Sequence, residues 1–167
     1  MPPPSPSSAL YLKLLPKTFY VYQIPSDASY SSGLFDHLMN DTHGAVRGGG
    51  RTAGPFARFV SITRTRDEIS IVVDESIDAE LSRHGVRLDP SKKSPWRCVA
   101  VNGPMEFSLI GVLCDLTTPL KLVGISIFAI STWNTDYLLV PYDKAEDAVQ
   151  ALKNDSWTFT DDVNAVA

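Results

Sequence analysis

The sequence predicts an α+β fold: two ferredoxin-like (βαββαβ) subdomains packed side by side, each an antiparallel sheet with helices on one face. Three observations carry this. Residues 104–140 read as loop, helix, glycine stop, strand, tight turn, strand. Both halves of the chain place a strand–turn–strand hairpin at the matching point, residues 59–74 and 125–140. The 167 residues, 44% hydrophobic and 20% charged, suit one globular unit or two small ones sharing a core.

Residues 1–15 open on prolines and serines. They read as a disordered tail that clips onto the body through Leu10, Tyr11, Leu14 and Leu15. The N-terminal half spans 16–95 and is the degenerate copy. Thr18 to Ile24 alternates and is rich in β-branched and aromatic types, which predicts a strand. Gly33 to Asn40 places Leu34, Phe35 and Leu38 at helical spacing. A Gly-rich insertion at about 41–55 reads as a mobile loop. Phe59–Thr65 and Glu68–Asp74 predict a hairpin around Arg66-Asp67. Glu75 to His84 suits a turn or two of helix, and Gly85 to Pro95 a polar linker.

The C-terminal half spans 96–160. Trp96 to Asn102 reads as a strand. Leu109 to Val123 predicts a helix, with Ser108 as N-cap and an apolar stripe of Leu109, Val112, Leu113, Leu116, Leu120 and Val123. Gly124 is its stop, and Pro119 is expected to bend or split it. Strands follow at Ile125–Thr132 and Asp136–Val140, joined by Trp133-Asn134-Thr135. Asp143 to Leu152 predicts a second helix with Ala145, Ala148, Val149 and Leu152 inward, and Ser156 to Phe159 a final strand. Residues 161–167 are tail.

Composition excludes several classes. A net charge of −4 gives no general attraction to nucleic acid or anionic membrane. No apolar run approaches the roughly 18 residues a spanning helix needs. Prolines lead the chain and Lys13 interrupts its first apolar stretch, unlike a secretory signal. Cys98 and Cys114 form neither a disulfide framework nor a zinc site, and read as two reduced, buried thiols of a cytoplasmic protein. His37, His43 and His84 lie far apart, so no metal is expected. Gly48 to Arg51 is not a phosphate loop, since no GKS or GKT follows. With no nucleophile elbow and no carboxylate pair set in an apolar cleft, the reading is of a protein that is not an enzyme and needs no cofactor. Arg47, Arg51, Arg58, Arg64 and Arg66 form either a solvated face or a surface for an acidic partner.

Two polar spots on an apolar frame point to a small-ligand site. The N–H groups of Ile110, Gly111 and Val112 fall in the predicted first helical turn, where they lack intrahelical acceptors and suit a carboxylate. Gly111 lets a ligand approach the backbone. Equally, these amides belong to an ordinary capped helix. Asp136 opens an otherwise apolar strand, either to meet a ligand cation or to cap the turn before it. Trp133 stacks on a ligand or anchors a hairpin or interface. Glu106 meets an ammonium or is solvated, and a strand-end Thr132 needs no function.

The run GVLCDLTTPLKLVGISIFAISTWNTDYLLV resembles the C-terminal half of small tandem ACT-domain proteins, and FVSITRTRDEISIVVDE resembles their N-terminal half. The plan is also similar to halves of the animal cytosolic arginine sensors. The resemblance covers roughly 18–25 and 56–142. It implies a regulatory protein that binds an amino acid where two ACT domains pack, as a homodimer or within the chain, and that changes its contacts with a protein partner. It implies that the loop Glu106, Phe107, Ser108, Leu109, Ile110, Gly111 and Val112 holds the α-amino and α-carboxylate groups. It implies that Thr132, Trp133 and Asp136 of the Thr-aromatic-x-x-Asp segment contribute the rest. An ACT-like scaffold without ligand, acting only through protein contacts, is the competing reading, and the Gly-rich insertion fits it.

Overall fold

The computed structural model describes residues 7–25, 38, 58–78 and 94–160. The strands among these are β1 (Leu12–Leu14), β2 (Phe19–Pro25), β3 (Val60–Arg64), β4 (Glu68–Asp74), β5 (Pro95–Val101), β6 (Phe128–Ser131) and β7 (Asp136–Pro141). Helix α1 is Val112–Leu122 and α2 is Ala145–Asn154. The chain divides into two units, Phe19–Ser94 and Met1–Thr18 with Pro95–Ala167.

In the unit Phe19–Ser94 the order is β3-β4-β2, with β4 antiparallel to both neighbours. Alternation sets its core face: Tyr22, Ile24, Ile69, Ile71 and Val73 cluster with Leu38 and Ile77. The β3–β4 hairpin turns at the expected place, where the Thr65 hydroxyl accepts the N–H groups of Asp67 and Glu68 at 3.3 and 3.2 Å. Asp74 is buried and caps the helical turn that begins at Glu75, accepting the Ser76 N–H at 2.9 Å and also the Phe59 N–H at 2.8 Å. Of the helix expected at Gly33–Asn40, Leu38 is described and is helical and buried. The rest of that segment, the insertion at about 41–55, the chain from 79 to 93 and the tail at 161–167 lie outside the described residues.

In the other unit the order is β1-β5-β7-β6, all antiparallel. The face carrying Val99 and Val101 of β5 and Leu138 and Val140 of β7 packs on Val112, Leu116 and Leu120 of α1 and Ala145, Ala148 and Leu152 of α2. A ferredoxin-like unit needs a fourth strand beside its first. The sequence assigned that place to Ser156–Phe159, but that segment contributes one parallel bridge, Phe159 to Leu12. The place beside β5 belongs instead to β1, in the register Leu12↔Val101. Residues 7–15 are therefore structure rather than tail: Leu10, Leu12 and Leu15 are all buried. The Leu-x-Leu-Leu run supplies the apolar side chains that edge requires, and the proline-rich lead-in masks them from a composition-based reading.

Three local expectations are corrected. Helix α1 starts at Val112, three residues later than predicted, and its N-cap is Gly111, not Ser108. The Ser108 hydroxyl donates to the Glu106 carboxylate at 3.3 Å instead. Leu109 and Val123, placed on the buried stripe, are exposed because they lie outside the helix ends. Pro119 does not split α1; the helix runs through it, and Pro119 itself is buried. The stop is as expected: Gly124 at φ 70° closes a Schellman cap, with Gly124 N–H to Lys121 at 3.1 Å and Ile125 N–H to Leu120 at 3.0 Å.

Candidate functional site

The chain leaving β5 has to reach the start of α1, and it does so by leaning on the β6–β7 turn. That turn is closed by its own threonines. Thr132 Oγ1 donates to the Thr135 carbonyl at 2.8 Å and accepts the Thr135 N–H at 3.2 Å. Thr135 Oγ1 in turn donates to the Val101 carbonyl at 2.7 Å, tying the turn to the end of β5. Gly103, at φ 69°, then sits so close that a side chain there would meet Asn134 Nδ2 at 2.9 Å. The Met105 N–H donates to the Asn134 carbonyl at 2.9 Å. Phe107 meets Trp133 edge to face, ring centroids 4.7 Å apart.

Loop and turn are thus brought together, and with them most of the residues singled out in the sequence. Glu106, Phe107, Ser108, Leu109, Ile110 and Gly111 form the exposed loop, and Val112 is the buried first residue of α1. Thr132 and Trp133 are on the turn facing it. The late helix start moves the free donors: Asp115 N–H to the Gly111 carbonyl is the first helical bond, at 2.9 Å, so Val112, Leu113 and Cys114 carry the amides without intrahelical acceptors. No side chain caps them. Gly111 keeps the expected openness, at φ 81° with no atom within 4 Å of where a Cβ would lie.

Asp136 is the informative residue. Strand alternation puts it on the same face as Leu138 and Val140, which is the helix-bearing face. The register Ala100↔Tyr137 puts it at the end of the sheet where β5 gives way to the loop and α1 begins. It is only 8% exposed, yet among the described residues its carboxylate has neither a hydrogen-bond donor nor a cation. It does not cap the turn, because the two threonines already do. Its oxygens are not among the sealed polar atoms of the described residues, so they keep contact with solvent and stay open as acceptors for a ligand cation.

The loop and the turn also expose apolar side chains. Phe107 is 75% exposed, Trp133 84% and Ile110 91%. Single exposed apolar residues need no explanation, but Phe107 and Trp133 touch, and Ile110 is exposed on the same loop as Phe107. On the opposite sheet face, burial pushes the Cys98 thiol and the Tyr137 hydroxyl up from their ordinary ranges, so both are neutral at pH 7. No cluster of three His, Cys, Asp or Glu suited to a metal occurs among the described residues.

Sequence reasoning missed Gly103, Met105, Asn134 and Thr135, which hold the site in shape. The Thr-x-x-Thr spacing was the available signal for the closed turn, and a glycine before proline at the strand exit was the signal for the close approach. Nothing in the sequence marks the backbone donor of Met105.

An antiparallel sheet with two helices on one face and a site loop leading from the first strand into the first helix define an ACT-like α+β fold, and residues 91–154 match the ACT domain family. The chain is similar to the cytosolic arginine sensor for mTORC1 subunit 1 of Mus musculus, 30% identical over 151 residues, covering 90% of this chain and 40% of that protein. The Homo sapiens protein of the same name is 30% identical over 96 residues, 57% of this chain and 29% of that one. The chain therefore spans at most 40% of the length of these relatives. Among solved structures, a protein of Agobacterium tumefaciens is similar with a TM-score of 0.60 and 27% identity, over 89% of this chain and 90% of that one. A Vibrio cholerae protein shares the fold at a TM-score of 0.56 and 14% identity, over 92% of this chain and 93% of that one.

Proposed function

We propose that this chain is a non-enzymatic regulatory protein that binds a free amino acid, built from two ACT-like units, the N-terminal one degenerate. The ligand's carboxylate lies at the first-turn amides of α1, with Gly111 allowing the approach. A cationic group of the ligand, its α-ammonium or a basic side chain, meets Asp136. The observation that carries this reading is the carboxylate of Asp136, on a residue only 8% exposed, without a partner among the described residues, at the end of the sheet where β5 gives way to the loop. The match to the ACT domain family and the similarity to a named arginine sensor support it, and make L-arginine the first ligand to test. The relative's name supports a cytosolic setting and a protein partner. A ligand regulates by binding one state more tightly than another, and a homodimer packed through the sheets is one such state.

The test is thermal melting of the chain against each of the twenty proteinogenic amino acids. Ligand at 100 times its dissociation constant stabilises by about 2.7 kcal/mol, a rise of roughly 5–10 °C for a chain of this size. No rise with any of them removes the ligand-binding reading. The scaffold reading then stands, supported by the exposed Phe107, Ile110 and Trp133 as a protein-contact surface.

A further inference from the structure

The rear of the ligand loop is held by a part of the chain far away in sequence. The Tyr11 carbonyl accepts the Asn102 N–H at 2.8 Å, and the Ala9 carbonyl accepts the Gly103 N–H at 2.8 Å. The Ser8 carbonyl accepts the Asn102 side-chain amide at 3.2 Å. Three acceptor positions of one short segment thus grip two consecutive residues at the exit of β5.

That segment is itself fixed. Ser7 Oγ accepts the Ala9 N–H at 3.3 Å and opens the single turn Ser8–Leu10. Leu10 is buried in the same cluster as Val101 and Val112. Beyond it, Leu12 donates its N–H to the Thr158 carbonyl at 2.8 Å as β1 begins.

Gly103 is wedged between this segment and the β6–β7 turn, since Asn134 and Thr135 close its other side. Two residues later Met105 bonds to Asn134. The order of contacts is therefore N-terminal segment, then Asn102 and Gly103, then the turn and the loop.

We propose that Ser8–Tyr11 is a positioning strap for the site: its carbonyls set where residues 102–105 lie, and so fix the separation between the loop 106–112 and the turn that leads into Asp136. This rests on the reading of that loop as the amino-acid site, and it adds a means of regulating it. With the strap docked, the ligand meets a loop already ordered. With the strap released, binding has to order the loop as well, and affinity falls. By linkage, bound ligand holds the strap in place to the same degree.

The experiment compares the full chain with a variant lacking residues 1–9 and with Asn102→Ala, which removes only the side-chain clamp on Ser8. Amide hydrogen exchange is followed at Gly103, Met105 and Leu138, without ligand and with L-arginine, and arginine affinity is measured by calorimetry. In the ligand-free deletion variant, exchange at Gly103 and Met105 is expected to quicken about tenfold or more, with Leu138 in β7 unchanged, because the opening is local. Asn102→Ala is expected to show a smaller rise at the same two amides, weaker arginine binding, and the melting temperature of the full chain.

Exchange at Met105 equal to that of the full chain in both variants overturns the proposal. Should the deletion quicken Leu138 as well, the chain has unfolded globally, and Asn102→Ala decides alone. Should no variant, nor the full chain, bind arginine or any other amino acid, the site reading fails, while the ligand-free exchange at Gly103 and Met105 still decides whether the strap positions the loop.

Discussion

Phe107 and Trp133 touch edge to face, 4.7 Å between ring centroids with their planes at 74°. Neither ring is buried. The pair contributes little to the core and instead joins the loop before α1 to the turn before β7 across the surface. Aromatic pairs of this geometry contribute about 0.5–1.5 kcal/mol beyond area burial, and solvent exposure puts this one at the low end. Trp133→Ala is therefore expected to lower the ligand-free melting temperature by no more than about 3 °C. It is expected to reduce the amino-acid-induced rise by half or more. A fall of about 10 °C without ligand would show that the pair belongs to the core after all.

Asp136 separates stability from function. The residue is only 8% exposed, and its carboxylate, not among the sealed polar atoms, has no partner among the described residues. Asp136→Asn removes the charge and keeps the shape, and because the carboxylate is neither sealed from solvent nor paired, the ligand-free chain is expected to change in stability by no more than about 0.5 kcal/mol, under roughly 2 °C in melting temperature. The same variant is expected to lose the rise produced by the amino acid. A lower melting temperature in the ligand-free variant would mean that the carboxylate has a structural partner. A retained ligand shift would remove Asp136 from the site.

The two left-handed glycines before α1 make a matched pair. Gly111, at φ 81°, has open space where a Cβ would sit, whereas Gly103, at φ 69°, has Asn134 and Thr135 between 2.9 and 3.2 Å away. Gly111→Ala is expected to cost only the backbone strain, about 1–2 kcal/mol. Gly103→Ala adds a clash with the turn and is expected to cost about 2–4 kcal/mol in all. Chemical denaturation of both variants measures the difference, and equal losses would remove the wedge that the strap acts through.

The hairpins and both C-terminal helices were legible because periodicity within one element encodes them. The alternation of β4 and the Ala145, Ala148, Leu152 spacing of α2 appear in the structure as read. What was not legible depends on contacts between distant segments. Ser108 looks like an N-cap in isolation, but the chain needs Glu106 to Gly111 to cross from β5 to α1, and the helix starts after that crossing. Pro119 looks like a break in isolation, yet it is buried and α1 runs on through it. The apolar positions of residues 10–15 read as a clip onto the body, but no local pattern says that their place is beside β5, about 85 residues later. Of the site, the residue types were legible and the scaffold that holds them was not.

Leu12 tests the strand that composition hid. It is fully buried, pairs with Val101 and packs in the core of the C-terminal unit. Leu12→Ala is expected to destabilise by about 2–5 kcal/mol, as a core residue would. A residue of a loose tail would change stability by under about 0.5 kcal/mol. Urea denaturation with fluorescence detection distinguishes the two outcomes.

Alkaline pH is expected to weaken the fold through groups that burial keeps neutral. Cys98 has an ordinary thiol value of 9.0 and is raised by burial, and Tyr22 and Tyr137 are raised above 10.0, by burial first and then by Asp78 and by Cys98 respectively. For an acid whose folded value lies above its unfolded one, the unfolded chain releases its proton first. The stabilisation is therefore complete below the unfolded value and is lost as pH climbs above it. The melting temperature is expected to hold from pH 7 to about 8.5, to fall above pH 9 as Cys98 ionises in the unfolded chain, and to fall more steeply above pH 10 as the two tyrosines follow. Cys98→Ala is expected to lower the plateau, since it leaves a cavity, but to move the onset of the fall to about pH 10. An unchanged onset would show that Cys98 does not carry it. Of the two thiols expected to be buried, Cys98 is and Cys114 is exposed, so iodoacetamide at pH 8 is expected to label Cys114 and spare Cys98 until denaturant is added.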